Sequence, residues 1–130
     1  MFKPTKKQAK LAIDYAKSYP DREVCGLFLK DKSFVEVENV FVSPVGKDLP
    51  VKLEDPTSGF AIPFAVYLQY GRDIACIMHS HPSSDHIGPS RADISAQKAS
   101  GVPWMVVSGE DWFVFDEENC FSDLPFIPVV

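Results

Sequence analysis

A short apolar run that ends on two histidines constrains the fold of this chain more than any other segment. Residues 74–78 read Ile-Ala-Cys-Ile-Met, and the residues that follow are His79-Ser80-His81-Pro82. An unbroken apolar run of this length, without alternating polar positions, is typical of a strand buried on both faces of a sheet. The run therefore predicts a central strand whose end presents the two histidines.

The pattern on either side of this strand predicts helices and further strands. Residues 5–17 are predicted to be a helix, since Thr5 and Gln8 have the spacing of a capping box and alanines repeat along one face. Strands are predicted at 23–29 and 34–42, and a short helix from Pro63 to about Tyr70. Residues 90–100 are predicted to form a helix that Gly101 stops, followed by a hairpin of strands 104–108 and 112–115.

This order of elements indicates an α+β fold, with a mixed β-sheet flanked by helices in one domain over residues 1–130. The expected core covers about residues 5–115. Residues 43–58, rich in Pro and Gly, are predicted to be a long surface loop, and the last fifteen residues are left unassigned.

Charge and composition narrow the classes of function. The net charge is −5 over 130 residues, and the basic residues are scattered, which argues against a nucleic-acid partner. No apolar run is long enough to span a membrane, and the first residues do not resemble a secretory signal. The three cysteines form no CxxC pair and fit a reducing compartment, so we expect a cytoplasmic protein.

The two histidines and an aspartate form a candidate metal site. Residues two apart on an extended backbone point to the same side, so His79 and His81 present their imidazoles together. Asp93 lies in the first turn of the predicted helix that follows, where a returning loop can bring its carboxylate to the same point. Two imidazoles, one carboxylate and an open position are typical of catalytic zinc, whereas magnesium and calcium prefer oxygen-rich ligand sets.

Each part of this pattern also has an ordinary structural interpretation. Two histidines on a strand are frequent as plain surface or core residues. Ser90-x-x-Asp93 is a routine helix start, since a serine cap and an acidic residue in the first turn both stabilise the orphan amide groups. It is the combination, in one segment, that favours the metal site.

Three segments together resemble the JAMM motif of the JAB1/MPN/Mov34 metallopeptidases. The segments are Glu23-Val24-Cys25-Gly26-Leu27, His79-x-His81-Pro82 and Ser90-x-x-Asp93. The resemblance implies a cytidine-deaminase-like architecture and a zinc ion bound by His79, His81 and Asp93. It also implies that Glu23 is the acid/base and that Ser90 supports the tetrahedral intermediate. From the residues alone, Glu23 is interpreted as an ordinary surface carboxylate, and only the resemblance places it at the metal site.

The segment from Pro89 to Ser108 is most similar to prokaryotic and phage members, including the peptidase-like domain of phage tail assembly proteins. The resemblance implies a peptide or protein substrate, such as a ubiquitin-like tail or a cell-wall peptide, and phage tail proteins as partners in a virion-associated role. Eight residues separate His81 from Ser90, one more than in the eukaryotic deubiquitinating members. His86 lies in this loop and is an alternative fourth ligand.

Other interpretations remain open at this point. Cys25 is a rival nucleophile, although its apolar flanks favour an inert buried thiol. A non-catalytic scaffold of the same fold is the main alternative, but such domains usually lack a metal ligand and this chain has all of them. A DNA-linked role like that of the RadC proteins, which have a similar segment, is disfavoured by the acidic net charge.

Overall fold

A mixed sheet of six strands organises the described part of the chain. The computed structural model describes residues 2–40, 42–43, 53–54, 61–82, 89, 91–118 and 120–122. The six strands of the sheet are β1 (Cys25–Leu29), β2 (Phe34–Val37), β5 (Ile74–Ser80), β6 (Trp104–Ser108), β7 (Asp111–Phe115) and β8 (Cys120–Ser122). Two further short strands, β3 (Val42–Ser43) and β4 (Leu53–Glu54), pair only with each other. Three α-helices accompany them, and this confirms the α+β class: α1 (Lys6–Lys17), α2 (Phe64–Tyr70) and α3 (Arg91–Ser100).

The predicted apolar run is the centre of the sheet. The spatial order is β2-β1-β5-β6-β7-β8, so β5 has neighbours on both sides. It pairs antiparallel with β1 and parallel with β6. The parallel pairing requires a crossover between β5 and β6, and α3 lies in that connection. The helix that carries Asp93 is therefore the crossover itself.

Local signals set the helix ends. Thr5 caps α1 in a capping box, accepting a hydrogen bond from the Gln8 backbone while the Gln8 side chain accepts from the Thr5 backbone. Pro63, predicted as the first helical residue, is the N-cap of α2, so the helix begins one residue later than predicted. Gly101 ends α3 with φ +70°, a conformation that glycine adopts without steric cost, and its N–H donates to Gln97.

Three predictions of strand and loop positions need correction. β2 ends at Val37, not at residue 42, because the Asn39 side chain bonds to the backbone of Glu23 and Ala61 where ladder bonds would continue. The predicted loop 43–58 contains part of a two-stranded ribbon, β3 with β4. The unassigned C-terminal region adds β8, which pairs antiparallel with β7.

Two apolar clusters cover the two faces of the sheet. On one face Ala9 and Ala12 of α1 pack with Val24, Phe28 and other sheet residues. On the other face Cys25, Leu27 and Ile77 form the cluster, with α2 and α3 contributing partly buried side chains. His79 lies on this second face, since its ring makes an edge contact with Trp104 at a centroid distance of 5.5 Å.

None of the described helices, of which the longest has 12 residues, has the length and apolar character of a membrane span.

Candidate metal centre

The end of β5 holds both histidines on the face covered by α2 and α3. His79 is the penultimate residue of the strand and is fully buried, opposite Cys25 of β1 and Val106 of β6. His81 follows the strand, but its backbone N–H donates to the Val107 carbonyl at 2.8 Å. The extended geometry therefore continues through His81, and both imidazoles point the same way as the alternation predicts.

Asp93 meets the two histidines from the first turn of α3. Its Oδ1 lies 3.1 Å from His79 Nε2 and its Oδ2 lies 3.1 Å from His81 Nε2. The two Nε2 atoms are 3.2 Å apart. Three side chains from β5, from the residue beyond it and from α3 thus converge in a triangle of side chains, in which each carboxylate oxygen faces one imidazole nitrogen.

The size of this triangle fits a metal ion. Zinc bonds of about 2.0–2.2 Å to nitrogen and oxygen in a tetrahedral shell place neighbouring donors about 3.3–3.6 Å apart. The donor separations of 3.1–3.2 Å fall only a few tenths of an ångström below that range. The donor set itself, two imidazoles and one carboxylate, suits zinc better than magnesium or calcium.

Hydrogen bonds alone do not account for all three edges of the triangle. Each neutral imidazole carries one ring proton and an ionised carboxylate carries none, so at most two protons serve the three edges. If both Nε2 atoms donate to Asp93, two N–H groups face each other at 3.2 Å. A cation between the three side chains would interact favourably with both ring nitrogens and the carboxylate at once, which supports these residues as a metal site.

Glu23 lies beside the triangle, just before β1. It belongs with His79 and His81 to a group whose ligand atoms lie within 4.8 Å of one another and could hold a metal ion. This group omits Asp93, although the Asp93 oxygens are only 3.1 Å from the nitrogens. Among the described residues, Asp93 and Glu23 are therefore the two carboxylates that could complete a ligand set with the histidines. The Glu23 carboxylate lies within 4.8 Å of the ligand nitrogens of both histidines.

Burial changes the acid–base properties of Glu23. The residue as a whole is about nine-tenths buried, and desolvation raises the pKa of its carboxyl to about 7. The neighbouring His81 lowers this pKa, and the Asp93 carboxylate raises it. A carboxyl group with a pKa near neutrality can both accept and return a proton at neutral pH, as general acid–base chemistry requires.

His79 is held in its neutral form. Burial lowers the pKa of this imidazole, while the hydrogen bond and the charge of Asp93 raise it and His81 lowers it. Because desolvation is the largest cause, the close contact between His79 and Asp93 is not a strong ion pair. A neutral imidazole is the form that binds a metal.

The site is partly open to solvent at His81 and Asp93. His79 is fully buried, whereas the side chains of His81 and Asp93 are 14% and 11% exposed. A cavity of about 330 Å³ borders Glu23 and the end of β2, and a smaller one of about 130 Å³ borders His81 and Pro82. The larger volume is at the lower end of the range for ligand pockets.

The rival nucleophile is unsuited to catalysis. Cys25 is fully buried, and its thiol pKa is raised to about 12, first by desolvation and then by Glu23. The reactive form of cysteine is the thiolate, which is scarce at neutral pH in such surroundings. Ser90 and His86, the other two predicted or alternative site residues, lie outside the described residues.

Two residues that the sequence analysis did not single out contact the backbone of Glu23 and Val24. The Asn39 side chain donates to the Glu23 carbonyl at 2.8 Å, and Ser80 Oγ accepts from the Val24 N–H at 2.9 Å. Ser80 has a visible signal in the sequence, because it lies between the two histidines. Asn39 has none, since it falls inside the strand predicted for residues 34–42.

The family of the chain follows from a comparison with family models. Residues 5–121 match Prok-JAB, the prokaryotic homologues of the JAB domain. The chain belongs to this family. The resemblance of the three motif segments to JAB1/MPN/Mov34 proteins is thereby confirmed at the level of the domain. Among curated proteins, none matches the chain.

The Prok-JAB match identifies the domain, and the geometry identifies a group of residues that could hold a metal ion. The JAB family includes metallopeptidases, and many Prok-JAB domains are non-catalytic, so the match identifies the domain and not a reaction. The Glu23, His79 and His81 group of this Prok-JAB domain could hold a metal ion, as in JAMM domains.

Proposed function

We propose that this Prok-JAB domain is a zinc-dependent hydrolase that cleaves a peptide or isopeptide bond. The observation that carries the proposal is the triangle of His79, His81 and Asp93 donors, 3.1–3.2 Å apart, with the Glu23 carboxyl beside it. A ligand set of three protein groups that leaves one position open is typical of catalytic zinc, whereas structural zinc is closed by four protein ligands.

Each residue of the proposed site has one chemical role. His79, His81 and Asp93 would hold the zinc ion, which supplies a Lewis acid and lowers the pKa of a water ligand towards about 7. Glu23 takes a proton from the attacking water and returns it to the leaving amine. A pKa of about 7 suits this carboxyl to both steps. Ser90 is proposed to donate a hydrogen bond to the developing oxyanion, as the JAMM resemblance implies.

The proposed substrates follow from the same resemblance. They are a peptide or protein, with a ubiquitin-like tail or a cell-wall peptide as the two classes to test. Phage tail proteins are proposed as partners, in a cytoplasmic or virion-associated setting. The genes beside the one encoding this chain distinguish these settings, because tail-assembly genes and ubiquitin-like genes predict different substrates.

The metal is tested first, without any substrate. Protein purified without chelator is expected to carry about one zinc ion per chain, measured by elemental analysis. His79→Ala and Asp93→Ala should lose it, since each removes one of three ligands. Glu36→Gln is the control and should keep it, since Glu36 is an exposed acidic residue of β2 outside the proposed ligand set. A full zinc content in both ligand variants would overturn the site.

Hydrolysis is tested with Glu23→Gln. This variant removes the proton acceptor while keeping the size of the side chain, so zinc content should be unchanged. Turnover of fluorogenic ubiquitin-like tail and cell-wall peptide substrates is expected to fall by about 10²–10⁴-fold. Near-normal turnover would assign proton transfer to another group, and Glu110 or Asp85 would be tested next.

The alternative function is a non-catalytic scaffold of the same fold. A scaffold has no need of a carboxyl with a neutral pKa beside three convergent metal ligands, and this arrangement favours the hydrolase. The two functions differ in one measurement. A zinc-loaded protein that cleaves neither substrate class would favour the scaffold.

A further inference from the structure

The peptide unit that follows Glu23 is held at both of its polar atoms by side chains. Its carbonyl, that of Glu23, accepts a hydrogen bond from Asn39 Nδ2 at 2.8 Å. Its N–H, that of Val24, donates to Ser80 Oγ at 2.9 Å. We call this arrangement the peptide clamp. It lies just before β1, which begins at Cys25, so side chains here take the place of ladder bonds.

On one side of the peptide clamp, Ser80 is buried and is the neighbour in sequence of both proposed histidine ligands. Ser80 and Val24 are almost fully buried, and the Ser80 N–H also donates to the Val24 carbonyl at 3.0 Å. Ser80 stands between His79 and His81, and its side chain points to the opposite face of the strand. One tripeptide therefore supplies two ligand nitrogens on one face and fixes the neighbour of Glu23 on the other.

The Asn39 side is oriented by a second contact. Asn39 Oδ1 accepts from the Ala61 N–H at 3.0 Å, and the Val40 N–H donates to the Ala61 carbonyl at 3.0 Å. A carbonyl must accept and an N–H must donate, so these partners fix which end of the amide faces Glu23. The Asn39 amide is thus locked between the segment before α2 and the Glu23 peptide.

We propose that Asn39 and Ser80 are positioning residues that fix the Glu23 carboxyl relative to His79 and His81. The proposal rests on the proposed function, in which Glu23 transfers protons. Glu23 lies outside any regular strand and has a flexible side chain, so its backbone anchors determine where the carboxyl can reach. A displacement of about 1 Å in a catalytic group costs up to about 10²-fold in rate.

The kinetic test uses variants that change one hydrogen bond each. Asn39→Asp keeps the acceptor for Ala61 but replaces the donor to the Glu23 carbonyl. Ser80→Ala removes the hydroxyl and Ser80→Thr restores it. We expect kcat to fall about 10–100-fold in Asn39→Asp and Ser80→Ala, with KM and zinc content unchanged, and to recover in Ser80→Thr. Ser108→Ala, which removes another buried serine hydroxyl on β6, is the control and should leave kcat unchanged.

A second background separates positioning from general damage. In Glu23→Gln, where the proton acceptor is already absent, adding Ser80→Ala or Asn39→Asp should change the residual rate by less than about twofold. A loss of kcat in this background as large as in the wild-type background would overturn the proposal, because the anchors would then act on something other than Glu23.

A measurement independent of catalysis keeps the two proposals distinguishable. Amide hydrogen exchange of Val24, followed by NMR in the metal-free protein, should accelerate at least tenfold in Ser80→Ala and return to the wild-type rate in Ser80→Thr. If the wild-type protein is inactive but shows this exchange pattern, the proposed hydrolase function is overturned and the anchoring of the Glu23 peptide by Ser80 is retained. An active protein in which Ser80→Ala changes neither exchange nor kcat would overturn the peptide clamp and retain the hydrolase.

Discussion

Glu23 connects burial to pH-dependent stability. Its pKa is raised from 4.5 to about 7, mainly by desolvation. Below pH 4.5 the carboxyl is protonated in both the folded and the unfolded chain. Between pH 4.5 and 7 the unfolded chain loses this proton while the folded chain keeps it, so the free energy of unfolding falls as pH rises. Above pH 7 the loss is complete, and at about 1.4 kcal/mol per pKa unit it amounts to at most about 3.5 kcal/mol.

The metal-free Glu23→Gln protein is therefore expected to be more stable than the metal-free wild type at pH 7. The difference in Tm, measured by circular dichroism, should grow from pH 4.5 to pH 7 and shrink when zinc is added, since a nearby cation favours the carboxylate. Glu36→Gln is the control, because it removes one negative charge from an exposed residue of β2. A Tm difference that does not vary with pH would mean that Glu23 titrates normally.

Variants of Ser90 distinguish a structural role, helix capping, from a catalytic role, donation of a hydrogen bond to the oxyanion. As a helix cap alone, Ser90→Ala should cost about 0.5–2 kcal/mol of unfolding free energy and leave turnover unchanged. As an oxyanion donor, it should cost about 2.7–4 kcal/mol of transition-state stabilisation. Ser90→Asp retains capping but places an anion near the developing charge, so we expect a stable, inactive protein. Chemical denaturation and steady-state kinetics measure the two effects, and a fully active Ser90→Asp would leave only the cap.

At the scale of single residues, part of the site follows from the sequence. The shared side of His79 and His81 follows from strand alternation, and Asp93 follows from its place in a helix start. The meeting of Glu23 with these residues depends on β1 pairing with β5, with Cys25 opposite His79. This pairing is a long-range contact that no local pattern specifies, so it was expected only from the resemblance to the JAMM motif.

At the scale of elements, Gly26 lets β1 and β2 approach closely. A Cβ atom at this position would lie 2.7 Å from two atoms of the Phe34 ring and 2.9 Å from the Val35 carbonyl oxygen. Phe34 also contacts Phe28 at a centroid distance of 4.7 Å, so the ring has little freedom to move away. The glycine here provides space and not an unusual backbone conformation.

Gly26→Ala is therefore expected to cost about 1–3 kcal/mol of unfolding free energy through overpacking, measured by urea denaturation. In a Phe34→Leu background the same change should cost less, because the smaller side chain relieves the ring contact while the carbonyl contact remains. Equal costs in the two backgrounds would show that the Val35 carbonyl, and not the ring, sets the penalty.

Elements with a strong local signal were predicted well, and those set by tertiary contacts were not. The capping box of Thr5 and Gln8 and the apolar run of β5 act within their own segments, so α1 and β5 were expected near their observed positions. β2 stops at Val37 because the Asn39 side chain donates to the Glu23 carbonyl in place of a ladder hydrogen bond. β8 was missed because its strand character depends on pairing with β7.

At the scale of the whole molecule, a metal ion at this site would couple binding to stability. Its ligands come from the end of β5 and from α3, so binding would tie the crossover helix to the sheet. At a free zinc concentration a thousandfold above Kd, the stabilisation is about 4 kcal/mol. For a chain of 130 residues this corresponds to a Tm increase of roughly 10–15 °C.

Excess chelator is therefore expected to lower the Tm of the wild-type protein by a similar amount. His79→Ala should show no such change, since it lacks the site, and it serves as the control for effects of the chelator itself. Differential scanning calorimetry measures both. An identical chelator effect on the two proteins would place the stabilising metal somewhere else.

The spacing of the site along the chain sets the order in which it assembles during refolding. Twelve positions separate His81 from Asp93, whereas 56 separate Val24 from Ser80. Closing the longer loop costs about 1.4 kcal/mol more chain entropy. A refolding chain is therefore expected to capture zinc before Glu23 arrives, so that zinc-induced fluorescence changes precede the recovery of turnover. Simultaneous recovery of both signals would mean that the ligands converge only once β1 has joined the sheet.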